Sequence, residues 1–260
     1  MGISDRKAKR DNPHVARFLE NPAKKGIVIF IHGFMGSPRQ FAGLIDAAQS
    51  QGYSTAALLL PGHGGSVGNF AASTFKRWQN HVDSEIERFL ENYTEILLVG
   101  HSMGGLLAIN AAVRFSRYVR GIFLIASPFT ITVFSVHAMK TRLKLALSKR
   151  NDPIKVIYLS DSSVPLSLNL LWGVIKPSLE FRKLMRTARK NLPKIEVPVT
   201  AVYSSADEVT PIKSLAILKN ELNDVPFNQV LLSDSFHAYY TKQEQLKIQQ
   251  SLKKALNSLQ

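Results

Sequence analysis

The chain has 260 residues, 45% of them hydrophobic, which is enough for one large globular domain or for one domain with an insertion. It contains no cysteine, which excludes disulfide bonds, thiolate nucleophiles and zinc-thiolate sites. The formal net charge is +14, and the excess lies in one segment: residues 114–194 contain 16 Lys and Arg against 3 Asp and Glu, whereas the rest of the chain has 17 and 16.

Residues 1–12 are polar, rich in both charges and without the apolar core of a secretory signal. No stretch of the sequence approaches the roughly 18 apolar residues of a membrane-spanning helix. These two features predict a cytoplasmic protein. The seven histidines form no HxxxH or HxH cluster, so we expect no metal site and no cofactor.

The first predicted strand is the apolar run Ile27–Ile31, which ends at His32-Gly33-Phe34-Met35-Gly36. Ser37, which is followed by proline, is typical of a helix N-cap, and Gly52 is typical of the residue after a helix end. A helix is therefore predicted between them. The next predicted strand, Tyr53–Leu60, is closed by a glycine-rich loop.

Apolar residues recur at helical spacing from Thr74 to Tyr93 and predict a long amphipathic helix. The run Ile96–Val99 then predicts a strand covered on both faces by helices. A further buried strand is predicted at Gly121–Ala126. The alternation of apolar runs with amphipathic stripes is typical of a parallel sheet built from right-handed crossovers.

A Gly-X-Ser-X-Gly pattern follows the strand Ile96–Val99, with Ser102 at its centre and Gly100 and Gly104 at its ends. A serine on a tight strand-to-helix turn brings the backbone so close together that side chains at the two flanking positions would clash. The residues after the turn predict a helix whose positive N-terminal end points toward Ser102. The pattern alone is weak, because such a turn also serves packing.

The alternation of predicted strands and helices stops between Pro128 and Pro193. This stretch is basic and predicted to be helical in pieces, with possible breaks at Asp152-Pro153, Val164-Pro165 and Lys176-Pro177. We interpret residues 128–193 as a cap inserted over the carboxyl edge of the sheet. Residues 1–127 and 194–260 then form the α/β core.

The alternation resumes with the predicted strand Val197–Tyr203, which is followed by Asp207. After a helix predicted at about Ile212–Leu222, the last strand, Phe227–Leu232, is followed by His237. The sequence Thr241-x-x-Glu244 then predicts a capping box at the start of a closing amphipathic helix.

Three chemically useful side chains each follow a predicted parallel strand, namely Ser102, Asp207 and His237. A single loop histidine or aspartate is more often a surface residue, but the carboxyl ends of parallel strands meet at one edge of a sheet. A serine, a histidine and an acid brought together form a nucleophile, its base and the group that orients the base. Glu208 and Asp234 compete for the acid role, and we favour Asp207 because it directly follows a strand end.

The order Ser, Asp, His resembles that of the α/β-hydrolases. Together with the His32–Gly36 loop, Pro61-Gly62-His63-Gly64, Trp78 and Gly100-His101-Ser102-Met103-Gly104-Gly105, it covers nearly the whole chain. Within that superfamily the chain resembles carboxylesterases and monoacylglycerol-lipase-like serine hydrolases. The resemblance implies an α/β-hydrolase fold with a mostly parallel sheet of about six or seven strands, flanking helices and a helical cap. The N-terminal hairpin of larger members has no clear counterpart before Ile27.

The resemblance also implies the site. Ser102, Asp207 and His237 would be the catalytic triad, and the N–H groups of Phe34 and Met103 the oxyanion hole. His32, His63 and His101 would pack and form hydrogen bonds near the site instead of acting as bases. The implied reaction is hydrolysis of a small-molecule carboxylic ester through an acyl-enzyme.

Other functions remain open from the sequence. A thioesterase, a peptidase or a cofactor-free perhydrolase would use the same triad. A non-enzymatic basic binding protein would explain the charge, but no nucleic-acid-binding motif accompanies it, so we expect no nucleic-acid partner. The basic cap predicts either a solvated surface or weak contact with an anionic membrane surface, and its apolar run Val164–Ile175 either lines an acyl pocket or packs on the core.

Overall fold

A computed structural model of the chain describes residues 14–23, 26–130, 162–165 and 169–259. The described strands form one seven-stranded sheet. They are β1 (Arg17–Leu19), β2 (Ile27–Ile31), β3 (Ser54–Leu58), β4 (Ile96–His101), β5 (Val119–Ile125), β6 (Val199–Ser204) and β7 (Phe227–Leu232).

The described α-helices are α1 (Ala42–Gln49), α2 (Val67–Ala71), α3 (Phe75–Leu90), α4 (Met103–Arg114), α5 (Leu170–Gly173), α6 (Ile175–Asn191), α7 (Lys213–Glu221) and α8 (Lys242–Asn257). Short 3-10 helices at Pro38–Phe41 and Leu192–Lys194 precede α1 and follow α6. Within these described ranges, every helix is too short or too polar to span a bilayer.

The strand order is β1-β3-β2-β4-β5-β6-β7, and all neighbours from β3 to β7 pair in parallel. The predicted α/β class and mostly parallel sheet are therefore confirmed. Strand β1 was not predicted, and it pairs antiparallel with β3 from Arg17 opposite Ala57 to Leu19 opposite Thr55. Its three residues are all exposed, so they show neither a buried run nor an alternation of polar and apolar residues.

Helices cover both faces of the sheet, and the central strand β2 shows why its sequence is apolar throughout. Ile27, Ile29 and Ile31 belong to the core beneath α3, α4 and α6, whereas Val28 and Phe30 belong to the core beneath α1 and α8. Because both faces of this strand are buried, every position in it requires an apolar side chain. The carboxyl edge of the sheet is left for loops.

The predicted helix starts are largely confirmed. The hydroxyl of Ser37 accepts the N–H of Arg39, but the helix there opens with a 3-10 turn before α1. Thr241 caps α8 by accepting the N–H of Glu244. The second half of the predicted capping box is wrong, because the Glu244 carboxylate turns away from the cap and accepts bonds from residues 233–235 of the preceding loop.

The predicted break at Lys176-Pro177 lies three residues earlier, at Val174, where α5 ends and α6 begins, because Pro177 has no N–H to bond the carbonyl of Gly173. The helix α6 runs from Ile175 to Asn191, and Pro177 occupies its first turn, where a missing N–H costs no intrahelical bond. Leu184 and Ala188 of this helix are fully buried in the core shared with α3 and α4. Val164-Pro165 lies outside any described helix, and Asp152-Pro153 lies outside the described residues.

Candidate active site

The turn between β4 and α4 holds Ser102 in a strained conformation, with φ 52° and ψ −118°. The flanking glycines allow the close approach that this turn requires. A β-carbon at Gly100 would lie 2.4 Å from the α-carbon of Gly105, and one at Gly104 would lie 1.9 Å from the carbonyl oxygen of Ile31. The turn therefore holds the serine at the carboxyl edge of the sheet, as its spacing predicts.

The loops after β6 and β7 bring Asp207 and His237 to the same edge. Nε2 of His237 lies 2.9 Å from the Ser102 hydroxyl. Nδ1 of the same ring lies 2.9 Å from Oδ2 and 3.1 Å from Oδ1 of Asp207. The three predicted side chains thus form one continuous hydrogen-bonded line, although the serine and histidine are separated by 135 positions in the chain.

The carboxylate of Asp207 is almost fully buried. Its Oδ1 accepts the N–H groups of Val209 at 2.8 Å and Thr210 at 2.7 Å. Burial opposes ionisation, but the attraction of His237 and these hydrogen bonds outweigh it and hold the pKa of Asp207 below its ordinary value. The group facing the imidazole Nδ1–H is therefore a stable anion.

The two competing acids occupy different places. Asp234 is exposed, and Ser233 donates to its Oδ2 at 2.9 Å. Glu208 is buried, and its Oε2 accepts the backbone N–H of His237 at 3.0 Å. Of the three carboxylates, Asp207 is the one that the geometry brings to Nδ1 of His237.

The predicted oxyanion donors lie on the two segments next to Ser102. Met103 is the first residue of α4, so its N–H has no acceptor within its own helix. Phe34 lies in the loop after β2, which approaches the serine so closely that a β-carbon at Gly33 would lie 3.1 Å from the Ser102 β-carbon. The phenyl ring of Phe34 packs on Phe70 and stacks on Phe181, which fixes this loop.

His32 and His63 brace the loops around the site as neutral rings. Nε2 of His32 accepts the N–H of Leu60 at 3.0 Å, and Nε2 of His63 accepts the N–H of Met35 at 3.2 Å. A nitrogen that accepts an N–H carries no proton, so each ring holds its proton on Nδ1. Burial lowers the pKa of His63 to about 4, and burial and the neighbouring His63 lower that of His32. Neither ring contacts the serine hydroxyl.

His101 forms a hydrogen bond to the loop that carries His237. Its Nε2 lies 2.9 Å from the backbone carbonyl oxygen of His237, and because that oxygen only accepts, Nε2–H is the donor. Burial, and then the neighbouring His237, lower the pKa of His101 to about 3. The ring is therefore a neutral hydrogen-bond donor to the histidine loop.

The family model Hydrolase_4, described as "Serine aminopeptidase, S33", matches residues 22–166, which is more than half of the chain. The chain belongs to the Hydrolase_4 family. The resemblance to α/β-hydrolases is confirmed by this match, by the sheet order and by the solved structures that share the fold.

Several similar proteins are lipases by name. A thermostable monoacylglycerol lipase of Bacillus sp. (strain H-257) is 24% identical over 212 residues, which cover 81% of this chain and 82% of the relative. The human monoglyceride lipase is 28% identical over 178 residues, covering 60% of this chain and 57% of the relative. The crystal structure of a Paleococcus ferrophilus monoacylglycerol lipase superposes with a TM-score of 0.72 at 20% identity, covering 94% of this chain and 98% of that one.

Sequence reasoning missed three contributors to the site of this Hydrolase_4 member. Glu208 was considered only as a rival acid, although its carboxylate bonds the His237 backbone. Tyr240, whose hydroxyl donates to the His237 carbonyl at 3.2 Å, carried no signal in the sequence. Ser163 joins the loops after β2 and β3 by donating its N–H to Met35 and accepting the N–H of Gly64. These are long-range contacts, which no local pattern encodes.

Proposed function

We propose that the protein is a carboxylic ester hydrolase of the carboxylesterase or monoacylglycerol-lipase type, and that Ser102, His237 and Asp207 are its catalytic triad. The observation that carries the proposal is the 2.9 Å distance from the Ser102 hydroxyl to Nε2 of His237, with the ionised Asp207 at the opposite nitrogen. The relatives named monoacylglycerol lipase and monoglyceride lipase support the same activity.

In the proposed reaction, Nε2 of His237 takes the hydroxyl proton as the Ser102 oxygen attacks the ester carbonyl carbon. The carbonyl oxygen becomes an oxyanion, which the N–H groups of Phe34 and Met103 stabilise at the positive end of α4. Collapse of this intermediate breaks the bond to the alcohol, which leaves with the proton from Nε2. An acyl group then remains on Ser102.

Water completes the turnover by the reverse sequence. His237 removes a proton from the attacking water, the oxyanion forms again in the same place, and Ser102 leaves with the proton. Asp207 keeps the imidazole in the tautomer that offers Nε2 and stabilises the imidazolium formed in each half-reaction. Acid protonates the imidazole and removes the base, so the rate falls as the pH is lowered.

We also propose that residues 128–193 form the cap over this site. Ser163, from within that segment, bonds both the Phe34-containing loop through Met35 and the loop after β3 through Gly64. Phe181 of α6 stacks on Phe34 at a ring separation of 5.6 Å. The rings of Phe34 and Phe181 supply an apolar wall beside the proposed oxyanion hole. Such a wall suits an ester with an apolar acyl chain.

An aminopeptidase is the second candidate, because the description of the matching family names that activity. It would use the same triad to attack an amide, and it would need a group that recognises the free amine of its substrate. Parallel assays with p-nitrophenyl esters and aminoacyl p-nitroanilides separate the two activities. Faster turnover of the anilides would favour the aminopeptidase.

Weak contact with an anionic membrane surface is a further proposal for the basic segment. Trp172 is 79% exposed, and Ile175 and Leu179 are half exposed on the following turns of helix. The exposed Lys176 and Arg182 accompany them on α6. An exposed apolar stripe accompanied by cations is complementary to an interface of acyl chains and anionic headgroups.

The experiment that tests the main proposal is labelling with a fluorophosphonate together with an ester series. We expect the reagent to modify Ser102 and to block hydrolysis of p-nitrophenyl esters, and we expect Ser102→Ala to lose at least about 10³-fold in kcat. The series of acyl lengths identifies the preferred chain. Labelling elsewhere, or an active Ser102→Ala variant, would refute the assignment.

A further inference from the structure

Both backbone polar groups of His237 are bonded by side chains from other parts of the chain. Its N–H donates to Oε2 of Glu208 at 3.0 Å. Its carbonyl oxygen accepts Nε2–H of His101 at 2.9 Å and the hydroxyl of Tyr240 at 3.2 Å. The peptide on each side of this residue is therefore tied down independently of the ring.

Two of the three tethers are chain neighbours of the other members of the site. His101 directly precedes Ser102 and closes β4, whereas Glu208 directly follows Asp207 in the loop after β6. The segment that carries the serine therefore holds the carbonyl of His237, and the segment that carries the aspartate holds its N–H. Because these tethers and the ring contacts involve the same two segments, a shift of the histidine loop would strain both sets of bonds.

The Glu208 and His101 tethers are buried, so water does not replace them easily. Glu208 is 3% exposed and His101 6% exposed. A hydrogen bond from a backbone N–H to a carboxylate is stronger than one between neutral groups, and a buried carboxylate without a donor is costly. Burial, and then the negative charges of Asp207 and Glu208, raise the pKa of Tyr240. Its hydroxyl therefore stays protonated and donates to the same carbonyl oxygen.

We infer that Glu208 is a positioning residue, which holds the backbone of His237 so that its ring spans Ser102 and Asp207. This inference rests on the proposed function of the triad. The described bond of the Glu208 carboxylate is to the backbone N–H of His237, so the role that we infer is exerted through the histidine. His101 performs the matching task at the carbonyl end.

Rigidity at this point matters because His237 lies on a loop between β7 and α8, without the support of a strand or helix. A displacement of about 1 Å between reacting groups costs roughly 10²-fold in rate. The length of the glutamate side chain lets Oε2 reach the N–H while Asp207 occupies Nδ1. One loop thus supplies both the orienting anion and the tether.

The test compares variants of Glu208 that differ in their ability to accept this bond. Gln has the same length and keeps an acceptor oxygen, whereas Met has a similar length and keeps none. With a p-nitrophenyl ester, we expect Glu208→Met to lower kcat by about 10²-fold with KM within about twofold, and Glu208→Gln to restore kcat to within about threefold of the parent. His81→Met, on α3 and outside the site, is the matched control.

A second readout reports the geometry directly. The proton shared between His237 Nδ1 and Asp207 gives a low-field signal in one-dimensional proton NMR, which we expect to weaken in Glu208→Met and to return in Glu208→Gln. A residue that only stabilises the fold would lower the melting temperature and leave both kcat and this signal unchanged. That outcome, or a Glu208→Gln variant as impaired as Glu208→Met, would overturn the inference.

Circular dichroism first establishes that each variant is folded at the assay temperature. If Glu208→Met does not fold, Glu208→Asp replaces it, because a carboxylate one methylene shorter does not reach the N–H; its kcat should fall likewise, and an unchanged kcat would refute the role. Assays of the parent protein distinguish failure of the proposed hydrolase function from failure of the proposed Glu208 tether. A parent with no esterase activity and no labelling of Ser102 would refute the hydrolase function, whereas an active parent with a fully active Glu208→Met refutes only the tether.

Discussion

Gly104 faces the carbonyl oxygen of Ile31 so closely that a β-carbon at position 104 would lie 1.9 Å from that oxygen. The contact joins the start of α4 to the end of β2, which are the two segments that carry the proposed oxyanion donors. The atoms that a β-carbon at Gly104 would meet belong to the backbone of Ile31 and His32, so no flexible side chain can move aside to make room. The distance between the serine turn and the Phe34 loop therefore depends on the absence of one methyl group.

This contact predicts that Gly104→Ala displaces the turn. We expect a loss of about 1–3 kcal/mol in the free energy of unfolding, measured with urea, and a fall in kcat of at least about tenfold. Gly68→Ala is the matched control, because among the described residues a β-carbon there meets only the Ser66 hydroxyl, at 3.6 Å, and a helix such as α2 favours alanine. Equal stability of the two variants would contradict the steric argument.

Removal of the charge at position 207 provides a test of the acid. Asp207→Asn keeps the shape of the side chain but no longer stabilises an imidazolium, so we expect kcat to fall by about 10³–10⁴-fold. Asp234→Asn, three positions before His237 on the exposed loop, should stay within about twofold of the parent under the same ester assay. A large loss in the second variant together with a small one in the first would transfer the acid role to Asp234.

The buried histidines predict how stability depends on pH. The pKa values of His63 and His101 are lowered to about 4 and about 3, whereas in the unfolded chain each ring has its ordinary value near 6.5. Between these limits the unfolded state binds more protons, so the free energy of unfolding falls as the pH is lowered from about 7 to 4. The expected contribution of each ring is on the order of a few kcal/mol, at about 1.4 kcal/mol per pKa unit.

Urea titrations across this pH range measure that slope. We expect His63→Gln to flatten it, because an amide oxygen still accepts the Met35 N–H but does not titrate. The deprotonated Asp207 acts in the same direction at lower pH, since its pKa is held below the ordinary carboxylate value and its contribution is lost only as the pH falls through that lowered value. Stability that stays flat from pH 7 to 4 would show that the rings are not buried as neutral groups.

The exposed stripe on α5 and α6 predicts salt-sensitive membrane contact. We expect the protein to co-sediment with vesicles containing phosphatidylserine at low salt and to be released at high salt, because screening weakens the attraction of Lys176 and Arg182 to the headgroups. Trp172→Ser should weaken binding without changing hydrolysis of a short soluble ester. Absence of binding at low salt would end the membrane proposal and favour a solvated basic surface.

The apolar runs and the turn residues predicted most of the sheet. A strand such as Ile27–Ile31 that is buried on both faces admits only apolar residues, so its position is readable from the sequence. The edge strand Arg17–Leu19 was missed because three exposed residues carry no periodicity. Pro177 indicated a break, but only the structure places that break at Val174, three residues before the proline.

For the candidate site, the sequence by itself determined the turn at Ser102 and the strand ends that carry Asp207 and His237, since glycine spacing and apolar runs are local and have steric causes. Only the tertiary structure decided which carboxylate faces Nδ1 and which one holds the backbone of His237. Asp207 and Glu208 are adjacent in sequence and alike in chemistry. Their separate tasks follow from the direction in which one loop points two neighbouring side chains, and that direction is set by packing against residues far away in the chain.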